Sequence, residues 1–314
     1  MIDWIFAFLQ TVGFVFLAPL MAGWVKWLKC RLQNRQGPVP WQPYRDLLRL
    51  SRKQVVLADT ASPVFRIAPY IVFSVTVVAV SVVPIISVQL PTAALADVIV
   101  LVGFLALARF FLSLAGMDIG TAFGGMGSSR EVTISSLAEP ALLMALFTLS
   151  MNASSTNLSI VIAHLVQSPF VLYPSLIFSS MGFILVAIAE TGRIPIDNPA
   201  THLELTMIHE AMILEYSGRH LAMMEWAAML KLTLYSVLIA NLIVPWGVGM
   251  TLAPRALIIG SLSITCKLVL LGGFLAVSET VQAKMRLFRA PQYLGLAFIL
   301  SLLGMMSHII LEVR

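Results

Sequence analysis

The residues from Glu190 to Leu221 read E-T-G-R-I-P-I-D-N-P-A-T-H-L-E-L-T-M-I-H-E-A-M-I-L-E-Y-S-G-R-H-L. This run carries five carboxylates (Glu190, Asp197, Glu204, Glu210 and Glu215), three histidines (His202, His209 and His220) and two arginines, with Glu225 just beyond it. It lies between two strongly apolar segments, so it is either a solvated connector or a working surface.

Those apolar segments decide the fold. Of 314 residues, 59% are hydrophobic and 11% charged, against roughly 25% charged in soluble domains. The chain is therefore expected to be an all-α integral membrane protein forming a single domain over residues 1–314. Crossing a hydrocarbon core about 30 Å thick takes roughly 20 helical residues. Eight such windows can be read, near Ile2 to Trp24, Ile67 to Leu90, Asp97 to Gly116, Val132 to Met151, Phe170 to Glu190, Leu221 to Trp246, Ala256 to Glu279 and Tyr293 to Leu311. The first carries Asp3 and no Lys or Arg ahead of an apolar run too long for a signal peptide, so it reads as a retained helix. The two cysteines, Cys30 and Cys266, fall short of the four or so thiolates an iron–sulfur cluster takes, and no cofactor is expected in this chain.

Basic residues collect in cytoplasmic loops. The segments after windows one, three, five and seven hold nine, one, two and three of them, while the opposite side has Arg255 and Arg314. Both termini are thus expected outside, periplasmic in a bacterium's inner membrane, with residues 190–221 as an acidic cytoplasmic loop. The net charge of +5 then reports topology and not a nucleic-acid partner.

The segment Lys26 to Arg66 is the longest and most basic connection. After a Gly37-Pro38 turn signal, Trp41, Tyr44, Leu47, Leu48 and Leu50 recur at nearly helical spacing opposite Arg45, Arg49, Arg52 and Lys53. A basic amphipathic helix of this kind lies in the membrane interface on anionic lipid, or docks a cytoplasmic partner. The later loop D-I-G-T-A-F-G-G-M-G-S-S-R-E, Asp118 to Glu131, is glycine-rich but fits neither dinucleotide nor P-loop patterns. Ser128 to Glu131 within it fits a capping box launching the fourth span, and a short surface helix is expected between Asn152 and Ser168.

Ionisable residues inside a membrane cost about 2.5 to 3.5 kcal/mol each and are functional candidates by default. Here they are Arg109, Glu139, Glu225, Lys231 and Lys267, with Glu190 and Glu279 closing spans five and seven. They pair as static salt bridges or relay protons. All except Lys267, near mid-span, fall in the cytoplasmic half, whereas the outer half has Asp97, His308 and Glu312 near its edge. That asymmetry points to a half-channel entering from the cytoplasm and continuing sideways into another membrane subunit. Within the acidic loop, His209-Glu210 begins a zinc-protease motif, but Ile213 stands where the second histidine belongs. A helix from Thr201 to Glu215 is expected, placing Glu204, Ile208, Ala211 and Glu215 on one face; the apolar Leu203, Met207, Ile208, Met212 and Ile213 suit burial against a neighbour.

At these residues the chain resembles the component shared by respiratory complex I, as its first membrane subunit, and the membrane-bound group 4 NiFe hydrogenases. The resemblance rests on R-x-G-P with W-Q-P-Y-R-D at Arg35 to Asp46, G-M-G-S-S-R-E at Gly125 to Glu131, A-E-P at Ala138 to Pro140, and the run from Ala189 to Gly218. Complex I members usually read A-E-T-x-R-x-P-F-D-L; P-I-D-N-P-A-T-H-L-E-L-T-M-I-H-E is similar to the energy-converting and hydrogenase-4-type formate hydrogenlyase branch. The resemblance implies a coupling subunit of a proton- or ion-translocating oxidoreductase complex. Its NiFe centre and iron–sulfur clusters would sit in partner subunits: hydrogenase large and small subunits, an iron–sulfur subunit and antiporter-like membrane subunits. Carried over by position, Arg35, Gly37, Pro38, Gln42, Arg45, Asp46, Arg193, Asp197, Glu204, Glu210 and Glu215 would meet the peripheral arm. Glu139 and Glu225, with Glu190, Lys231, Lys267, Glu279 and Arg109, would line the proton path. The alternatives are a quinone-chamber subunit of complex I, a secondary transporter working alone, or an inert anchor.

Overall fold

A computed structural model describes residues 2–168, 171, 173–197, 207–283, 285 and 289–312. In chain order its helices are α1 (Ile2–Leu32), α2 (Gln42–Ser51), α3 (Pro63–Val82), α4 (Val98–Asp118), α5 (Ala122–Met151), α6 (Leu158–Gln167), α7 (Pro174–Glu190), α8 (His209–Ile213), α9 (Gly218–Ile243), α10 (Pro254–Val281) and α11 (Ala290–Ser307). Among the described residues seven of them, α1, α3, α4, α5, α9, α10 and α11, are long and apolar enough to cross a membrane. The eighth expected span is helical over the 17 residues of α7, about 25 Å at 1.5 Å per residue. Pro174 at its first turn sets the start.

Helices α4, α5, α7 and α11 pack into one group, while α1, α2 and α3 gather around α9 with α10 against α1 and α9; the two groups meet chiefly where α3 packs on α4, and α9 also touches α7. Burial identifies α9 as the central post: 67% of its apolar window is enclosed, against 22–44% for the other six spans.

Two prolines explain how α9 grips its neighbours. A proline inside a helix leaves the carbonyl four residues earlier without its donor. Pro19 in α1 frees the Val15 carbonyl, which accepts the Trp226 indole N–H at 2.9 Å. Pro69 in α3 frees the Phe65 carbonyl, which accepts the Tyr216 hydroxyl at 2.9 Å. The Tyr216 ring stacks on Phe65 with centroids 3.9 Å apart, and burial, with Asp118 next in weight, pushes its phenol pKa up so that the hydroxyl remains a donor.

Several boundaries differ from the sequence expectation. The second span stops at Val82, not Leu90, because Val83, which precedes Pro84, is extended. The following strand-like stretch pairs with the chain after α9, Gly249 N–H donating to Ile86 O at 2.8 Å and Val88 N–H to Gly249 O at 3.1 Å. The glycine-rich loop is helix: Thr121 caps α5 by accepting the Gly124 amide, and Ser128 is fully buried within the helix, so no capping box forms at Ser128 to Glu131. The physical reason is close packing. A Cβ at Gly124 would strike the Gly116 carbonyl of α4, and one at Gly127 would press on Ala211 of α8. The expected helix over Thr201 to Glu215 is confined, in the described residues, to α8; Glu204, His202 and Leu203 lie outside them. Met207, Ile208, Met212 and Ile213 are buried as anticipated.

Removing either aromatic donor orphans a buried carbonyl, at a cost of about 1–3 kcal/mol. Tyr216→Phe, which keeps the stack on Phe65, and Trp226→Phe are each expected to lower the Tm of the detergent-solubilised protein. An unchanged Tm in both would show that these carbonyls are satisfied otherwise.

Candidate functional site

Four spans converge on one arginine. Arg109 of α4, with 4% of its side chain exposed, meets Glu139 of α5 at 3.1 Å and Glu131 of the same helix at 3.5 Å. It also pairs with Glu190 at the end of α7. Lys231 of α9 reaches the same Glu190 oxygen at 3.0 Å. An arginine's planar fork serves several carboxylates in a way that a lysine's point charge does not. One helical turn past Lys231, Tyr235 is buried, with its hydroxyl close to Glu190.

The charges in this network do not cancel. Two cations face three carboxylates, so one carboxylate has no cation of its own. Glu190 is held between both cations with 1% of its side chain exposed. Glu139 is the most open member, with 37% exposed.

A second network lies three residues along the chain. The left-handed turn at Gly192, φ 60°, carries Arg193 to Glu279 of α10 at 3.1 Å, and Lys29 of α1 meets the same carboxylate at 2.8 Å. Glu279 is buried. The segment Glu190 to Arg193 is thus the covalent tie between the two networks.

Both border a cavity of about 880 Å³. Its wall includes Arg109, Glu131, Glu190 and Lys231 from the first network and Lys29, Arg193 and Glu279 from the second. Asp46 and Arg49 of α2, Glu210 and His209 of α8, and Glu225 of α9 line it too, as does Thr76 near the middle of α3. Glu139 is not part of the wall and is the half-open partner of Arg109, beside the exposed Ser136 and Pro140 of α5.

Of the residues expected on a proton path, the structure brings Arg109, Glu190, Glu225, Lys231 and Glu279 to this cavity, and Glu139 to Arg109 outside its wall. Lys267 stands apart, with its amine 3.5 Å from Asn241 Oδ1. Of those expected to face a peripheral arm, Asp46, Arg193, Asp197 and Glu210 line the cavity. Asp197 is 3% exposed and accepts the Ile208 and His209 amides at 3.2 Å each, closing the acidic loop onto α8. Gln42 donates to Asp46 at 3.0 Å, Gly37 packs on Cys30 with Pro38 half-buried beside it, and Arg35, Arg45 and Glu215 are exposed. Glu204 is outside the described residues.

The sequence reading missed Glu131, Lys29 and Tyr235. Glu131 passes for a helix cap beside the glycines, yet it lies two turns before Glu139 on one helix, a spacing that marks a shared face. Among the described residues, no group of three or more His, Cys, Asp and Glu is placed to hold a metal ion.

A bundle of membrane spans with its ionisable groups gathered around a polar cavity defines a polytopic membrane protein with buried ion-pair networks. The chain belongs to the NADH dehydrogenase family, whose profile matches residues 5–310. It is 30% identical over 303 residues to formate hydrogenlyase subunit 4 of Escherichia coli (strain K12), covering 96% of this chain and 98% of that one. To hydrogenase-4 component C of the same strain it is 32% identical over 303 residues, covering 96% and 94%. NADH-quinone oxidoreductase subunit 8 of Rhodothermus marinus is 24% identical over 214 residues, covering 67% and 62%. A chain of the membrane-bound sulfane sulfur reductase, an archaeal respiratory membrane complex, has the same fold, with a TM-score of 0.80 at 16% identity over 98% of this chain and 99% of that one.

Taking one partner from a buried ion pair costs about 3–5 kcal/mol. Arg109→Met should destabilise the protein on that scale in a thermal melt, whereas Glu139→Gln, at a more open carboxylate, should cost about 1 kcal/mol or less. Equal effects would contradict the arrangement in which Arg109 holds the network.

Proposed function

We propose that this chain is the membrane coupling subunit of an ion-translocating oxidoreductase complex of the hydrogenase or formate hydrogenlyase type, located in the cell inner membrane with both termini outside. The observation that carries this reading is the succession from the cavity wall through Arg109 to Glu139. Protons enter the cavity past Asp46, Glu210 and Glu225. They reach the network that has room for one more, and leave by Glu139 toward a neighbouring antiporter-like membrane subunit. NiFe and iron–sulfur redox chemistry belongs to the partner subunits: hydrogenase large and small subunits and an iron–sulfur subunit. They bear on this chain through the acidic loop, whose Arg193 pairs with the buried Glu279 and whose Asp197 holds the Ile208 and His209 amides, while Glu215 stays exposed. The relatives among formate hydrogenlyase and hydrogenase-4 components support this assignment.

A quinone-reducing role, as in the more distant NADH-quinone oxidoreductase relatives, has one observation in its favour. The cavity volume of about 880 Å³ falls within the range of small-molecule sites. Its many charged residues suit a proton path better than an apolar ring and tail.

In the reconstituted complex, Glu139→Gln and Glu225→Gln are each expected to abolish proton translocation while the subunits remain assembled and electron transfer continues uncoupled. Coupling retained in both would favour an inert anchor. Turnover that stops without added quinone would favour the second reading. Reversing Glu215 to Lys should weaken retention of the peripheral subunits in a pull-down, and unchanged retention would remove the acidic loop from the interface.

A further inference from the structure

The helix α2 carries a feature the coupling reading does not use. Trp41, Arg45, Leu48 and Arg52 recur at spacings of four, three and four across α2 and its two caps, and all four are exposed. Trp41 is 52% and Leu48 58% exposed. The opposite side of the helix is occupied by the buried Leu47, while Asp46, Arg49 and Lys53, on the flank next to the stripe, border the cavity. Among the described residues, Arg45 and Arg52 form no ion pair.

Contacts with α1 fix the depth of this stripe. The uncharged run of α1 from Trp4 to Val25 measures about 33 Å at 1.5 Å per residue, one hydrocarbon thickness. Pro40, just before α2, seats on Gly23, where any Cβ would collide with the Pro40 carbonyl. The Tyr44 hydroxyl donates to the Phe16 carbonyl, two turns deeper. Helix α2 therefore lies at the end of the apolar run of α1, level with lipid headgroups and not out in water. A water-facing stripe has no use for an open Trp and Leu, and a stripe facing acyl chains would not carry two arginines; the headgroup zone suits both.

We propose that Trp41, Arg45, Leu48 and Arg52 form a binding face for the phosphate headgroup of an anionic membrane phospholipid. The guanidinium groups meet the phosphate, and the indole and Leu48 lie against the glycerol and upper acyl region. Family resemblance gives Arg45 to the peripheral arm; its place on this stripe gives it to the membrane.

The test uses the complex purified from membranes and reconstituted in nanodiscs of phosphatidylcholine with a minor share of phosphatidylglycerol. Native mass spectrometry reads the lipid retained on release. The wild type should retain phosphatidylglycerol in preference to phosphatidylcholine. Each arginine is worth roughly a fivefold preference, so R45Q/R52Q should lose most of the enrichment while the charge-conserving R45K/R52K keeps most of it. Enrichment unchanged in R45Q/R52Q would overturn the proposal. So would loss of peripheral subunits with the enrichment intact, which would mark a protein-docking face, or displacement of the lipid by millimolar inorganic phosphate, which would mark a soluble anion site.

Discussion

Arg109 is a permanent charge set among apolar helices, and the way its cost is offset shapes the bundle around it. An isolated charge at membrane depth is expensive, so the guanidinium draws carboxylates from α5 and α7, and Lys231 of α9 joins through Glu190. Four helices from the two packing groups are thereby held in one register. Three carboxylates against two cations also leave the site short of a full complement of positive charge. The same constraint that orders the helices therefore leaves the site with one more carboxylate than cations.

The rest of the architecture keeps that network reachable from one end. Helix α9 and the residue Tyr216 just ahead of it are fastened to α1 and α3 where prolines have freed carbonyls, and residues of all three helices line the cavity. The turn at Gly192 joins Glu190 to Arg193, and hence the first network to Glu279 and Lys29. A displacement of the acidic loop would act on both networks at once, because Asp197 ties its start to its return at Ile208 and His209. The acidic loop is in this way continuous with both sets of buried charges.

Much of this was legible before any coordinates, and the parts that were not have particular causes. The spans follow from apolar run length, and Arg109, Glu139, Glu190 and Lys231 announce themselves because charges are rare in such runs. Who pairs with whom depends on which helices are neighbours, which no local pattern in this chain reveals. Glu131 went unread because four nearby glycines look like a loop, whereas here two of them, Gly124 and Gly127, let α4 and α8 press against α5. Pro84 was visible, but its consequence, an early end to α3, needed the hydrogen bonds that Gly249 and Asn241 offer the unwound backbone. Asp197 looked like a surface acid because its loop is polar; its two amide donors come from residues eleven and twelve positions later, a closure invisible at short range.

The central claim is that the network around Arg109 gains or loses a proton during turnover and that Glu139 carries it. Infrared difference spectroscopy of the assembled complex, comparing oxidised and reduced states, reads this directly through the carbonyl stretch of a protonated carboxyl group. A carboxyl band that changes with redox state in the wild type and vanishes in Glu139→Gln is the predicted result. A band that persists unchanged in the variant, or no carboxyl change in the wild type, would contradict it.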